Sequence, residues 1–251
     1  MPWDPDRYHL FKRERAAPFN DLLGMIRPRE GMQVIDLGCG TGELTARLAD
    51  ALPGSEVLGL DSSPEMLERA QELSRPGLRF ELGDLREAGG SWDLVFTHAV
   101  IQWVEDHVSL LPRLMRLLRP DGQLAVQLPS NHQHPTHLLI QETAREDPFA
   151  GALGGWIRES PVLGIEEYAE ILHAAGGVNL SVLEKVYPHV LEDADAMADW
   201  TSGTAMLPYF ERLPAEMRDP FIASYREKLR RRYPGSPVFY GFRRILFAAT
   251  V

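Results

Sequence analysis

Apolar residues along the chain fall into short, nearly continuous runs, separated by stretches in which they recur every three or four positions. The runs at residues 32–37, 57–61, 78–82, 92–96 and 123–128 predict strands, and the mostly apolar run at 32–37, closed by glycines, is that of a strand buried on both faces of a parallel sheet. Between them, residues 43–52, 63–74 and 107–118 carry helical spacing, with stops at Pro53-Gly54 and Arg119-Pro120-Asp121-Gly122. Ser63-Pro64 opens the second of these helices, with proline in the first turn, where its missing donor costs nothing. Strand and helix alternate through Leu128, which predicts an α/β fold with a doubly wound, Rossmann-like parallel sheet. Ahead of it, Leu10, Phe11, Ala17, Leu22 and Met25 recur at near-helical spacing, so an amino-terminal helical arm with a break at Pro18 is expected. Beyond Pro129 the spacing predicts helices at 136–145 and 165–175, a strand at 178–187, further helices within 194–232 and a last strand at 244–249. A late strand pair around a helical insert predicts a cap over the carboxyl ends of the sheet, where ligands of open α/β folds bind. The resulting division is an arm or lid at 1–30, a Rossmann-like cofactor domain at 31–190, a helical substrate cap at 191–235 and a returning strand at 236–251.

Composition narrows the partners. The 251 residues are 44% hydrophobic and 25% charged, ordinary for a globular chain. Thirty-six acidic against 26 basic residues give a net charge of -10, a field that repels polyanions, so nucleic acid is not an expected partner. The single cysteine, Cys39, excludes an intrachain disulfide. Met1-Pro2-Trp3-Asp4-Pro5-Asp6 lacks the features of a signal peptide, and no stretch reaches the roughly 20 apolar residues of a membrane span. A cytoplasmic monomer without a metal site, acting on a small molecule, is expected.

The most specific pattern is Asp36-Leu37-Gly38-Cys39-Gly40-Thr41-Gly42, set between a predicted strand and a predicted helix. Gly38, Gly40 and Gly42 let the backbone turn sharply and approach a ligand, while the helix that follows offers free N–H donors to a carboxylate. A dinucleotide loop needs a third glycine three positions after the second, and that place holds Glu43, an anion poorly suited to a pyrophosphate. The methionine moiety of S-adenosylmethionine fits better, with Asp36 in the network around its ammonium group. Asp61, closing the second strand, can accept both ribose hydroxyls. Asp84 after the third strand can accept from the adenine amine while the Leu85 backbone donates to the ring. Cys39 reads as a small loop residue.

Val34-Ile35-Asp36-Leu37-Gly38-Cys39-Gly40-Thr41-Gly42, Gly59 to Met66, Ile101-Gln102-Trp103-Val104 and Leu124 to Asn131 together resemble the trans-aconitate 2-methyltransferase family. Trp3-Asp4-Pro5, Pro135-Thr136-His137, Tyr233-Pro234 and Phe242 to Phe247 extend the similarity along almost the whole chain. The resemblance implies a seven-stranded methyltransferase sheet, S-adenosylmethionine as cofactor with S-adenosylhomocysteine as product, and a small polycarboxylate as substrate. It also implies cofactor contacts from Ser62 and Met66, and substrate contacts from Asn131 and Arg244. Two positions depart from the family pattern. Met206-Leu207-Pro208 stands where the family shows leucine-arginine-proline, so the cation expected at 207 is absent, and His98 replaces a usual asparagine.

Methyl transfer from a sulfonium is an in-line displacement at an approach of about 3–3.5 Å. A carboxylate nucleophile, with a reference pKa near 4, is ionised at neutral pH and needs no general base. It does need cationic clamping, for which arginine suits better than lysine. Gln102 and Trp103, after the fourth strand, would face the methyl pocket as substrate-orienting groups, with Trp103 as core packing the alternative. His98 reads either as a catalytic group or as a satisfied polar residue at the sheet end. Tyr8 reads either as a lid over the cofactor or as ordinary helix packing. The basic run from Arg226 to Arg232 reads as a solvated helix face. A methyltransferase for a carrier-protein-linked malonyl group, a non-catalytic S-adenosylmethionine-binding regulator and a dehydrogenase are the competing readings.

Overall fold

The computed structural model describes residues 12–251. Helix α1 (Lys12–Leu23) precedes an alternating series: β1 (Gln33–Leu37), α2 (Glu43–Ala51), β2 (Glu56–Asp61), α3 (Pro64–Gln71), β3 (Leu78–Leu82), β4 (Trp92–His98), α4 (His107–Met115) and β5 (Leu118–Pro129). The chain continues through α5 (Pro135–Ala144), α6 (Phe149–Ala152), α7 (Ile165–Ala174), β6 (Val178–Leu191), α8 (Ala194–Ser202), α9 (Leu207–Phe210), α10 (Ala215–Arg232) and β7 (Val238–Thr250). One seven-stranded sheet has the order β3-β2-β1-β4-β5-β7-β6. The first five strands are parallel, and β7 runs antiparallel to both of its neighbours.

Alternation along each inner strand feeds two cores. Ile35, Leu37, Val95, Leu124, Val126 and Phe247 face α4 and α7, where Leu111, Leu114, Tyr168 and Leu172 are buried. Val34, Leu94, Phe96, Ala125 and Leu246 face α1, α2 and α3, meeting Phe19, Leu22, Leu48 and Leu67. The period-2 alternation of a strand buried on both sides accounts for this division. A third cluster joins α5, α6, α8, α9 and α10 to the start of β7 through Ile140, Phe149, Met197, Tyr209, Phe221, Tyr225 and Tyr240. The helical insert thus has its own core, anchored where β7 begins.

Several boundaries differ from the sequence expectation for physical reasons. Pro18 does not break α1: the helix continues through it, giving up one ladder hydrogen bond, while Pro18 itself and Phe19 and Leu22 beside it are buried. The expected stop at 119–122 lies within β5, because Asp121 takes a positive φ of 61° and the strand resumes. Strands β6 and β7 extend further than expected because they pair with each other as a long antiparallel ribbon from Leu191↔Val238 to Ser181↔Ala248. The basic run on α10 binds acids on α8, on α5 and in the turn after α5: Arg226 pairs with Asp199, Arg230 with Asp195, and Lys228 with Glu142 and Glu146. Exposed pairs of this kind contribute about 0–1 kcal/mol each.

Phe247 tests the central packing. Its side chain is fully buried and its ring stacks on that of Tyr168 at 5.0 Å. Phe247→Ala is expected to destabilise the fold by about 3–5 kcal/mol, read as a lower urea midpoint at unchanged slope.

Candidate active site

The carboxyl end of β1 runs into a loop in which Gly38, Gly40 and Gly42 all hold positive φ (78°, 55° and 76°). A Cβ at Gly40 would meet no heavy atom within 4 Å, so the backbone there faces open space that a ligand can approach closely. A Cβ at Gly42 would lie 2.8 Å from the Phe80 ring, so glycine is what lets α2 start tight against β3. The loop is tied to β2: the Gly38 and Cys39 N–H groups donate to the Leu60 carbonyl (2.7 and 3.1 Å), and the Gly40 N–H donates to Asp61 Oδ2 (2.8 Å). Asp61 Oδ1 accepts from the Ser63 N–H at 2.9 Å. Each carboxylate oxygen keeps a further lone pair for a ligand hydroxyl.

Asp36 lies beneath this loop, 3% exposed, and accepts from the Thr45 hydroxyl at 2.6 Å. Burial pushes its pKa up to about 7; the Thr45 bond opposes the rise and the charge of Asp61 adds to it. A cation arriving nearby would restore the ionised form. Glu43 stands in the first turn of α2 and sets a negative charge where a pyrophosphate would rest. Cys39 is buried, and burial with the neighbouring carboxylates drives its thiol pKa up, away from reactivity. Asp84 follows β3 and is gripped by Arg86, whose Nε lies 2.9 and 3.0 Å from its two oxygens; these bonds hold its carboxyl below the usual range. Leu85 packs against the core, Ser62 is exposed, and Met66 is buried in α3, which Ser63 caps. Tyr8 lies outside the described residues. Three adjacent parallel strands therefore bring Asp36, Asp61 and Asp84 to one rim, beside an open glycine backbone, and this set fits S-adenosylmethionine rather than a dinucleotide.

Beside that rim, under the helical insert, lies a cavity of about 360 Å³. Gln102, Trp103, Asn131 and Arg244 all line it. Gln102 and Trp103 belong to a short 3-10 turn, Ile101–Trp103, that follows β4. The Gln102 amide donates to the Ala99 carbonyl at 2.7 Å, leaving its Oε1 buried with no hydrogen-bond partner. Asn131 clasps β7: its Nδ2 donates to the Arg243 carbonyl and its Oδ1 accepts from the Arg243 N–H, both at 2.9 Å. Arg244 is 4% exposed, with Nη1 3.3 Å from Gln127 Oε1 and its guanidinium 4.8 Å from the centre of the Phe242 ring. His98 is not among the lining residues; strand alternation sends it with Phe96 toward α1, and its ring stands edge-on to Phe19 at 5.8 Å.

Sequence reasoning missed further lining residues. Arg158 enters from the irregular segment between α6 and α7, with its guanidinium 4.5 Å from the centre of the Trp103 ring. His132 and His137 also line the wall, with His134 beside them at the cap of α5. Burial chiefly lowers all three imidazole pKa values, to about 3 for His137 and about 4 for His134, so they are neutral at physiological pH. Pro135-Thr136-His137 marked this segment in the sequence; nothing marked Arg158. Among the described residues, no group of three His, Cys, Asp or Glu could hold a metal. No described helix is long and apolar enough to cross a membrane.

A family model described as a methyltransferase domain matches residues 28–176. The fold agrees: the YcgJ protein of Bacillus subtilis superposes with a TM-score of 0.62 at 16% identity, covering 94% of this chain and 98% of that one. A Haemonchus contortus phosphoethanolamine N-methyltransferase 2 in complex with S-adenosyl-L-methionine matches with a TM-score of 0.56 at 18% identity, over 94% of this chain and 52% of that chain. Sheet order, glycine loop and strand-end carboxylates thus define a class I S-adenosylmethionine-dependent methyltransferase. The trans-aconitate 2-methyltransferase of Deinococcus radiodurans is 49% identical over 100% of this chain and 98% of its own length. That of Rhizobium meliloti is 39% identical, over 100% and 99%. The chain belongs to the trans-aconitate 2-methyltransferase family.

The raised pKa of Asp36 has a signed consequence for stability. Between the unfolded value near 3.8 and about 7, the folded state holds a proton that the unfolded chain has lost, so this group's contribution falls as pH rises through that window. Asp36→Asn removes the penalty. Chemical denaturation at pH 5 and pH 8 is expected to show the variant gaining on the wild type as pH rises, by at most ~3 kcal/mol.

Proposed function

We propose that the protein transfers a methyl group from S-adenosylmethionine to a carboxylate of a small polycarboxylic acid, with trans-aconitate the leading substrate. The observation that carries this reading is a cavity with two arginines, Arg158 and Arg244, in its wall, next to the strand-end rim that fits the cofactor. The trans-aconitate 2-methyltransferases of Deinococcus radiodurans and Rhizobium meliloti, at 49% and 39% identity, point to the same acceptor. Leu207 lacks the expected cation, yet the cavity has an arginine from another segment, so a polyanion remains a suitable guest.

When bound, S-adenosylmethionine supplies an electrophilic methyl group on its sulfonium. Around it, Gly40 leaves backbone space, Asp61 accepts from the ribose, Asp84 with Leu85 meets the adenine, and Asp36 favours the amino group's positive charge. Gly38, Gly42, Ser62 and Met66 shape the two turns that frame this site. On the acceptor side no general base is required, because a carboxylate is already ionised. Gln102 and Trp103 orient the acceptor from the 3-10 turn, and Arg244 with Asn131 positions it from the β5–β7 side. The negative charge of Asp199 in the wall is offset by Arg226. His98 packs against Phe19 on the α1 face, outside the cavity wall, and is given no part in the transfer. The helices of 191–235 form the substrate cap, and the reading takes the protein to be a cytoplasmic monomer.

Incubation with labelled S-adenosylmethionine and a panel of di- and tricarboxylic acids is expected to yield a monomethyl ester, with trans-aconitate the best acceptor. Turnover on amines or phenols with no ester across the panel would refute the reading. On the cofactor side, Asp61→Asn is expected to weaken S-adenosylhomocysteine binding by about tenfold or more in calorimetry, through loss of a charged acceptor.

A further inference from the structure

We propose that Arg158 anchors one carboxylate of the substrate that is not methylated, and so determines which carboxylate is left to accept the methyl group. This rests on the polycarboxylate reading above and deepens it.

Arg158 is held on several sides before any ligand arrives. Its guanidinium lies over the Trp103 ring at 4.5 Å, its Nη2 donates to the Gln102 carbonyl at 3.0 Å, and its backbone N–H donates to the Tyr209 hydroxyl at 3.3 Å. The stack and the carbonyl restrict the plane of the fork, which reduces the entropy lost on clamping a ligand. A guanidinium has five N–H donors, and the bond to the Gln102 carbonyl engages one of its two terminal nitrogens. Many arginines of this acidic chain sit against a carboxylate, as Arg75, Arg86, Arg226 and Arg230 do, whereas no described carboxylate forms an ion pair with Arg158. A half-buried cation that faces a cavity and makes no direct ion pair, with Glu211 acting on it only through its field, suits an anionic guest. Two buried polar atoms of the same wall, Gln102 Oε1 and His132 Nδ1, also have no partner, so the ligand meets a polar surface around the cation.

A carboxylate clamped by a guanidinium has its lone pairs engaged and is a poorer nucleophile than one held by weaker donors. The carboxylate on Arg158 is therefore a spectator, and the reacting one is another. Because Trp103 and Gln102 hold the guanidinium from the turn that follows β4, the anchor and the methyl side of the pocket share one rigid element.

The test compares wild type, Arg158→Gln and Arg158→Lys on trans-aconitate and on the three dicarboxylates that each lack one of its carboxylates. Initial rates, product isomers by NMR and S-adenosylhomocysteine affinity by calorimetry are the readouts. Arg158→Gln is expected to raise KM for trans-aconitate about 10- to 100-fold with cofactor affinity unchanged, and to release a second monomethyl isomer. For the one dicarboxylate that lacks the anchored group, wild type and variant should agree within about twofold. Arg158→Lys, which keeps the charge without the fork, should fall between them, and it carries the test if the glutamine variant no longer binds S-adenosylhomocysteine. An unchanged KM with a single isomer, or an equal loss on all four acids, would overturn the assignment of Arg158. A wild type that esterifies none of the acids would instead overturn the polycarboxylate reading itself.

Discussion

Five parallel strands in register end at the same edge of the sheet, and that alignment places every group of the site. Leu37 pairs with Leu60 and Asp61 with Leu82, so carboxylates placed at three strand ends must arrive at one rim whatever their separation in sequence. The same alignment puts the turn after β4 and the end of β5 on the next stretch of that rim, where the cavity opens. The two faces of the sheet are covered by separate helix layers, so the carboxyl edge is the exit left for polar chemistry. The antiparallel β6–β7 ribbon then returns the chain across that edge, and the helical insert, with its own aromatic core, roofs the cavity.

Charge is distributed in a matching way. The cofactor half of the rim is acidic, suited to a ligand that carries a sulfonium and an ammonium group. The acceptor half has guanidinium groups and neutral imidazoles, suited to an anion. Burial keeps Asp36 near the point of titration, whereas Asp84, held by Arg86, stays ionised. Each half thus offers its ligand the opposite charge, and a carboxylate acceptor asks no proton transfer of the protein.

The cofactor half was legible in the sequence because strand-end residues follow from hydrophobic period and glycine punctuation. β3 falls where the period places it, β1, β2 and α2 do so within a residue, and the exclusion of a dinucleotide by Glu43 needed only counting. The family resemblance likewise led to Gln102, Trp103, Asn131 and Arg244, which share the cavity wall. Local signals failed where tertiary pairing decides the outcome. Pro120-Asp121-Gly122 carries every mark of a turn, yet β5 passes through it, and Pro18 is tolerated because α1 is buried against the sheet. Arg158 was illegible for a different reason: it lies in an irregular stretch with no period, and its place beside Trp103 is set by tertiary packing across a sequence separation of 55. The 207 position drew notice as a missing cation, when the cavity takes its cation from elsewhere.

The most direct measurement is a crystal structure of the ternary complex with S-adenosylhomocysteine and trans-aconitate. The expected result has the ribose hydroxyls on Asp61, the homocysteine portion over Gly40 and the tricarboxylate in the cavity between Arg158 and Arg244. A nucleoside bound away from the Asp36–Asp61–Asp84 rim, or a tricarboxylate outside the guanidinium-lined cavity, would contradict it.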